Sequence, residues 1–373
     1  MNDCYNILKL LFITILGSQL FFLLITNDVS RDLQSTIVQP KTEKQCLILY
    51  WTPIFGNYKQ WGQGPKCKYC YGTTDRDLLN ISDVVYFHYG DINENDLPTF
   101  RKPNQLYICL YMESVYFDKP RLKYFFNWTA HYRHDSDLFY PYGKVYAYDN
   151  KQKHKMKKPW LVDSSDIKIP KPNMTTIENV ELNKTRSVAW IVSNCRTEIK
   201  REDYVERLSS YIDVDIYGGC GKLKCPYKNS RPGLNCLKMI ESKYKFYIAF
   251  ENSICVDYIT EKLYAVLEYF IVPIVMGGGD YQSAAPPHSY INVKDYQNPK
   301  DLAKYLHYLK ENRTAYNQYF EWKKHFTIGF FGMEEFGICA ECAAIRNHLM
   351  LKKSSVVNLE DFYDRKKQCR SKL

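Results

Sequence analysis

Charged side chains follow several apolar stretches of the sequence, at places where a polar site would form. Glu113 comes three residues after the stretch Tyr107–Leu110. A carboxylate there suits a general base, and it equally suits a helix cap or the partner of a cation. Arg201 follows the stretch Ser187–Val192 near the start of a helical pattern, where free backbone N–H groups and a guanidinium bind anions. The spacing predicts an anion site in the second half. In the first half, position alone favours a cap or an ion-pair partner over a general base for Glu113.

The segment after Phe246–Phe250 carries the densest set of polar groups. It begins with the sequence ENS and leads into an amphipathic stretch whose first turn holds Glu261 and Lys262. A lysine at a helix N-terminus neutralises a diphosphate, and a carboxylate accepts hydrogen bonds from ribose hydroxyls. The alternative for Glu261 is dipole stabilisation, because acidic residues favour a first helical turn.

Two D-x-D sequences raise the question of a divalent cation. They are Asp135/Asp137 and Asp213/Asp215, and the second pair would share one face of a strand. The form is short and arises often by chance. The glycine run 277–279 lacks a following Lys-Ser/Thr, which excludes a P-loop.

Thirteen cysteines include two C-x-x-C pairs, Cys67/Cys70 and Cys339/Cys342. A zinc site would need both pairs, which lie far apart in sequence, unlike a compact zinc ribbon. In an oxidising compartment the default is disulfide bonding. The sequence therefore favours disulfides at these four positions.

Apolar segments alternate with stretches long enough for helices. This rhythm predicts an α/β protein with mostly parallel sheets, in which ligands collect at the carboxyl ends of the strands. Residues 151–187 are polar and rich in Lys, Pro and Asn, which is typical of a linker. They separate a first domain, residues 46–150, from a second domain, residues 188–345. A tail, residues 346–373, follows the second domain. The expected strands are Cys46–Trp51, Asp83–His88, Tyr107–Leu110, Ser187–Val192, Val214–Tyr217, Phe246–Phe250 and Val272–Met276, and the expected helices are Glu202–Tyr211 and Thr260–Phe270.

The N-terminus carries a targeting signal. Leu10–Thr26 is an uncharged apolar run of 17 residues, which predicts a signal anchor after a cytosolic tail, residues 1–9. A cleaved signal peptide is the alternative. A polar stem, residues 27–45, would then lead into a lumenal remainder. Five glycosylation sequons agree with that placement: Asn80, Asn127, Asn173, Asn183 and Asn312.

The chain has a formal net charge of +10. Nucleic acid, an anionic membrane or a phosphorylated ligand would each suit such a balance. The densest basic run, within residues 151–158, lacks interleaved aromatic residues and is typical of a solvated linker. No nucleic-acid-binding motif is present in the sequence.

Three ordered segments resemble the α1,3/4-fucosyltransferase family. They are FYIAFENSICVDYITEKLYAVLEYFIVPIVMGG (Phe246–Gly278), FNWTAHYRHDSDLFYPYG (Phe126–Gly143), and AWIVSNC followed by Arg201 and Tyr204. The resemblance covers nearly all of the expected lumenal part, in the family's order.

The resemblance implies the GT-B fold, in which two Rossmann-like domains face each other across a cleft. It implies a Golgi membrane enzyme that transfers fucose from GDP-β-L-fucose, with inversion, in α1,3 linkage to an N-acetylglucosamine of glycoprotein N-glycans. In this family the D-x-D forms are not metal sites, so no cofactor is expected.

Residue by residue, the resemblance implies that Glu113 is the catalytic base. The usual proline of that motif is replaced by Val115, which puts the shape of the loop in doubt. Arg201 and Lys262 match the phosphate-binding cations. The other positions expected to bind the donor are Ser193, Asn194, Tyr204, Tyr247, Asn252, Tyr258 and Glu261.

Two alternatives remain open at this point. The same chemistry could act on antennal LacNAc or LacdiNAc acceptors or on glycolipids, because acceptor choice depends on N-terminal loops that one sequence does not decode. A lumenal glycan-binding protein without activity would be a different class, and the presence of base and phosphate cations argues against it.

Overall fold

The computed structural model describes residues 45–58, 70–148, 180, 184–225, 234–330, 342, 345, 346 and 356–372. The predicted anchor Leu10–Thr26, nearly all of the stem and most of the linker lie outside these residues. Within the described part of the chain, no helix is both long and apolar enough to cross a membrane.

The first half forms a sheet of six parallel strands in the order β2-β1-β3-β4-β5-β6. Every residue of β3 and β4 is buried, as expected of parallel strands covered on both faces. The strands are β1 (Cys46–Tyr50), β2 (Cys70–Thr73), β3 (Val84–His88), β4 (Leu106–Tyr111), β5 (Trp128–His131) and β6 (Leu138–Phe139), and β7 (Gly143–Ala147) follows outside this sheet.

The second half forms a sheet of five parallel strands in the order β13-β12-β10-β8-β9. Its strands are β8 (Arg186–Ile191), β9 (Val214–Tyr217), β10 (Tyr244–Phe250), β12 (Val272–Met276) and β13 (Ile291–Asn292), while β11 (Ile254–Cys255) lies outside it. The helices of this half are α1 (Arg201–Ser209), α2 (Leu234–Lys243), α3 (Glu261–Leu267), α4 (Tyr281–Ala284), α5 (Pro299–Glu311) and α6 (Arg313–Gln318).

The expected strands and helices match the observed ones closely. The strands Val214–Tyr217 and Val272–Met276 have the predicted bounds, and the other predicted strands differ by at most two residues at either end. The helix predicted over Thr260–Phe270 is shorter, because Thr260 is its N-cap and the helix ends at Leu267. The prediction of an α/β protein with parallel sheets is confirmed.

The two halves pack against each other partly through an antiparallel pair of strands, one from each half. β14 (Phe326–Phe330) pairs antiparallel with β7, so a late strand completes a ribbon begun in the first half. A Cβ on Gly143, in β7, would lie 2.1 Å from the ring of Tyr264 in α3. Only glycine allows that helix to approach the strand so closely.

Residues 356–372 form a segment that we call the C-terminal strap, where the sequence predicted only a tail. It contains α7 (Leu359–Phe362), α8 (Arg365–Gln368) and β15 (Cys369–Arg370), and β15 pairs antiparallel with β11. Leu359 and Tyr363 are fully buried in the core. The strap is therefore part of the folded body.

Disulfide bonds occur as predicted, with a pairing that the sequence did not show. Cys70 bonds Cys342, which joins one cysteine from each C-x-x-C pair. The remaining members, Cys67 and Cys339, lie outside the described residues. Further disulfides join Cys195 to Cys220, Cys225 to Cys236 and Cys255 to Cys369.

The sequons fall in different environments. Asn80 is exposed and Asn312 is partly exposed. Asn127 is only 4% exposed, and its Oδ1 accepts a hydrogen bond from the backbone N–H of Tyr107 at 2.8 Å. A buried asparagine leaves no room for a glycan in the folded protein, so Asn80 and Asn312 are the more accessible of the described sequons. The other two sequons lie outside the described residues.

Candidate functional site

The carboxyl ends of the central strands supply the site's segments. β4 leads directly to Glu113, which is exposed and lies in a bend rather than in a helix. In the second sheet β8 leads to Ser193 and Asn194, and β10 leads to Glu251. Since all three strands belong to parallel sheets, these segments emerge where such folds bind ligands.

Residues 251–262, which run from the end of β10 into α3, contain several of the predicted donor-binding residues, and we call them the donor-side segment. Glu251 organises this segment. It is fully buried, and its Oε1 accepts hydrogen bonds from the backbone N–H of Thr260 at 2.7 Å and from the Thr260 hydroxyl at 3.0 Å. Its Oε2 lies 3.2 Å from Nζ of Lys262. Burial raises the pKa of Glu251, while Lys262 and the Thr260 bonds oppose the rise. The carboxylate thus fixes the first turn of α3 to the end of β10.

Lys262 sits at the centre of this network. Its Nζ donates to the hydroxyl of Thr260 at 2.9 Å and to Oε1 of Glu261 at 3.1 Å. Burial alone would lower its pKa, but Glu251 and Glu261 raise it, so the ammonium stays charged. Glu261 itself is about half exposed. A fixed ammonium suits a phosphate. The backbone N–H groups of Thr260, Lys262 and Leu263 at this helix start are already bonded within the protein.

The glycine run shapes the same segment. A Cβ on Gly278 would lie 2.3 Å from the carbonyl oxygen of Cys255, so the chain after β12 touches the backbone of the donor-side loop. Any larger residue would displace that loop. The run therefore packs the site together instead of cradling a phosphate.

Arg201 lies below the surface of the site and is 3% exposed. Its Nη1 donates to the carbonyl of Phe250 at 2.6 Å, and its Nη2 donates to the carbonyl of Asn194 at 3.2 Å. The guanidinium joins the ends of β8 and β10, and burial lowers its pKa. This residue assembles the pocket and brings positive charge to it.

Three of the predicted donor residues carry buried polar atoms that have no hydrogen-bond partner among the described residues. These atoms are Nε of Arg201, the hydroxyl of Tyr204 and Oδ1 of Asn252. An unsatisfied buried polar atom costs free energy unless water or a ligand satisfies it. Arg201 and Tyr204 lie in α1, which follows the β8 loop, and Asn252 lies on the β10 loop, so these atoms fit a polar ligand between the two.

Tyrosines join the Glu113 loop to the donor-side segment. Tyr258 is 1% exposed, and its ring centroid lies 4.9 Å from that of Tyr132 and 6.5 Å from that of Tyr142. Burial raises the pKa values of Tyr142 and Tyr258, and both Glu113 and Glu251 raise them further. These ring contacts join Tyr258, after β10, to Tyr132 and Tyr142 of the first half.

The hydroxyl of Tyr142 donates to the carbonyl of Met112, the residue before Glu113. Tyr247, also predicted to bind the donor, is 7% exposed in β10, and burial raises its pKa. Ser193 and Asn194 are exposed on the β8 loop. The structure thus gathers Glu113 and the donor-side residues into one region.

The D-x-D carboxylates make internal contacts in this structure. Oδ2 of Asp215 accepts from the hydroxyl of Tyr244 at 2.7 Å, and Oδ2 of Asp137 accepts from the backbone N–H of Thr129 at 2.8 Å. Asp135 pairs with Arg133. Among the residues that the structure describes, no cluster of His, Cys, Asp and Glu could hold a metal ion.

Two features of this site were absent from the sequence-based predictions: the role of Glu251 and an ion pair of Asp257. Glu251 could have been found, because it directly follows a fully apolar strand. His134 pairs with Asp257 across the halves, at 3.0 Å between Nδ1 and Oδ2. Asp257 adopts a left-handed backbone conformation with φ of 57°, which no sequence pattern indicated.

Comparisons with known proteins agree with this geometry. Residues 182–362 match the model of the glycosyltransferase family 10 (fucosyltransferase) C-terminal domain, and residues 43–143 match the fucosyltransferase N-terminal domain. The chain is 34% identical over 306 residues to alpha-(1,3)-fucosyltransferase C of Drosophila melanogaster, covering 76% of this chain and 70% of that protein. This chain belongs to the family 10 fucosyltransferases.

Two further matches agree. Glycoprotein 3-alpha-L-fucosyltransferase A of Drosophila melanogaster is 37% identical over 294 residues; the match covers 76% of this chain and about half of that longer protein, 52%. A crystal structure of an alpha1,3-fucosyltransferase with GDP-fucose superposes with a TM-score of 0.51 at 17% identity, covering 86% of this chain and 94% of that one. The latter match shows a shared fold.

Proposed function

We propose that this fucosyltransferase transfers L-fucose from GDP-β-L-fucose, with inversion and in α1,3 linkage, to an N-acetylglucosamine of glycoprotein N-glycans. The observation that carries the proposal is the contact between the loop of Glu113 and the donor-side segment: Tyr142 donates to the carbonyl of Met112, beside Glu113, and its ring lies 6.5 Å from that of Tyr258. A base from the first half thereby lies near the segment of the second half that carries Lys262. We further propose that the two sheets are the two Rossmann-like domains of a GT-B fold.

The donor would bind along the β8 and β10 loops. Lys262 offers a fixed positive charge to the diphosphate. The unsatisfied atoms of Arg201, Tyr204 and Asn252 offer two donors and an acceptor to the polar groups of the donor. The positive charges of Lys262 and Arg201 stabilise the leaving GDP as its C1–O bond breaks, so no metal is required in this proposal.

Glu113 would act from the opposite side. The acceptor hydroxyl attacks C1 of fucose, its proton passes to the Glu113 carboxylate, and the bonding electrons of the old C1–O bond leave with GDP. The exposure of Glu113 leaves its oxygens accessible to an acceptor. Attack on the face opposite GDP converts the β-linked donor into an α-linked product, in agreement with inversion.

The proposed cellular setting is the Golgi lumen, with Leu10–Thr26 as a single type II membrane anchor. The apolar run, the disulfides and the exposed sequon at Asn80 support this setting. The choice of a glycoprotein acceptor is supported by the fly relative named as a glycoprotein 3-alpha-L-fucosyltransferase.

An acceptor panel tests the function. Purified enzyme is incubated with GDP-fucose and one acceptor at a time, and the linkage of the product is determined. The acceptors are an N-glycan with its core chitobiose, LacNAc, LacdiNAc and a glycolipid. We expect α1,3-fucose on the core N-acetylglucosamine. Fucose on the antennal acceptors alone would move the assignment to Lewis-type substrates, and no transfer to any acceptor would refute the activity.

A further inference from the structure

The C-terminal strap is fastened to both halves of the protein. At its start, the backbone N–H of Val357 donates to the carbonyl of Phe126 in the first half at 2.9 Å. At its end, Cys369 bonds Cys255 of the donor-side segment, and β15 pairs with β11 there. The part of the strap between these attachments must cross from one half to the other.

Arg365 lies within that crossing part and contacts three loops at once. Its Nη1 lies 3.4 Å from the carbonyl oxygen of Val115, two residues after Glu113. Its Nη2 pairs with the carboxylate of Glu198 on the β8 loop and lies 3.5 Å from the hydroxyl of Ser253 on the β10 loop. These are the loops that carry the base and the donor-binding residues.

We propose that Arg365 is a positioning residue for the transfer reaction, holding the Glu113 loop in register with the two donor-binding loops. The inference rests on the proposed function. The guanidinium is planar and offers several N–H donors in a fixed fork, so a single side chain can join three acceptors. The Arg365 side chain is 30% exposed, which leaves it at the edge of the site instead of among the reacting atoms.

The Glu113 loop has a particular need for such a tie. The segment from Met112 to Lys119 contains no helix or strand. Val115 itself is fully buried, so it is the part of this segment that lies against the protein interior, where Arg365 reaches its carbonyl. A contact from Arg365 to that carbonyl therefore transmits the position of the strap to the base.

The experiment compares Arg365→Ala, Arg365→Lys and the control Lys367→Ala in the full chain. Lys367 lies on the same helix, is 58% exposed and pairs with Asp361 within the strap. We expect kcat of Arg365→Ala to fall about 10–100-fold, because small displacements of a base have effects of that size. GDP affinity, measured by calorimetry, and the thermal unfolding midpoint should stay near wild type.

Arg365→Lys should recover part of the lost kcat, because a lysine keeps the pairing with Glu198 but cannot reach all three acceptors together. Lys367→Ala should match wild type. Equal kcat for wild type and Arg365→Ala would overturn the proposal. So would a parallel loss of kcat, GDP affinity and unfolding midpoint, because a merely structural residue would produce that pattern.

Hydrogen exchange gives a readout that does not depend on activity. Arg365→Ala should raise amide exchange in residues 112–119 and leave β9 and α5 unchanged. If Arg365→Ala exchanges faster but the wild-type enzyme has no transferase activity, the proposed function is refuted and the loop contact is supported. If the wild-type enzyme is active but Arg365→Ala exchanges at the wild-type rate, the positioning role of Arg365 is refuted and the proposed function stands.

Discussion

The substitution Glu113→Gln separates catalysis from stability at the proposed base. Glutamine keeps the size of the side chain and its capacity to hydrogen-bond, but it cannot take a proton at neutral pH. Glu113 follows β4 in a bend, and the next helical turn begins only at Pro120. The alternative role as a helix cap is therefore excluded.

The structure sets the expected magnitudes. Because Glu113 is exposed, the free energy of unfolding should change by less than about 0.5 kcal/mol, as for other surface substitutions. Loss of a general base should lower kcat by about 10²–10⁴-fold. GDP-fucose affinity should stay near wild type, because the phosphate-binding groups belong to the second half of the chain.

Three measurements decide the matter: kcat with a saturating acceptor, GDP-fucose affinity by calorimetry, and urea unfolding. Glu321→Gln is the matched control, since its carboxylate is also exposed, at 51%, and pairs only with a neighbouring lysine of its own turn among the ion pairs described. A Glu113→Gln enzyme that turns over at the wild-type rate would refute the assignment, and the search would move to Asp135 and Asp137.

The remaining predictions concern charge and pH. Lys262→Ala should weaken GDP binding about 10–100-fold, because a hydrogen bond to a charged group contributes about 1.5–3 kcal/mol. The control Lys304→Ala changes a lysine that is 68% exposed and should leave GDP binding unchanged. Equal GDP affinities for the two variants would refute the donor site. Activity should persist in excess EDTA, and a loss that manganese restores would show that a cation is needed. Burial lowers the pKa of Lys184 to about 8 from 10.5. Between pH 8 and 10.5 Lys184 is therefore protonated in the unfolded chain and neutral in the folded one. The free energy of unfolding of wild type relative to Lys184→Met, measured by urea titration, should rise by up to about 3 kcal/mol over that range. A difference in free energy that does not change with pH would contradict the pKa shift.

Periodicity predicted the sheets because their strands are buried on both faces. The stretches Phe246–Phe250 and Val272–Met276 are continuous apolar runs, which is the pattern of central parallel strands. Edge strands were harder: β2, with the sequence CYGT, and the two-residue β6 lack such a run. Their pairing depends on neighbours far away in the chain.

The candidate site was predictable where residues follow strands directly. Glu113 could be identified in this way and Lys262 by its place in the first turn of a predicted helix, and the family resemblance supplied their roles. The contacts of Arg201 could not be foreseen, because the sequence indicates a cation and not the two carbonyls that its guanidinium joins. The strap escaped prediction for the same reason, since its contacts, such as Arg365 with Val115, span 250 residues of sequence.

The fastening of the first sheet by late residues has a consequence for biosynthesis. Tyr363 packs with Tyr89 and Tyr111, and Cys70 must wait for Cys342, which is 272 residues further along. At roughly 5–20 residues per second, that interval lasts roughly 15–50 s on the ribosome. The N-terminal half thus emerges first yet cannot complete its core until Cys342 and Tyr363 have been synthesised. During that interval the nascent chain has an open sheet and an unpaired Cys70 thiol, which is exposed to thiol–disulfide exchange.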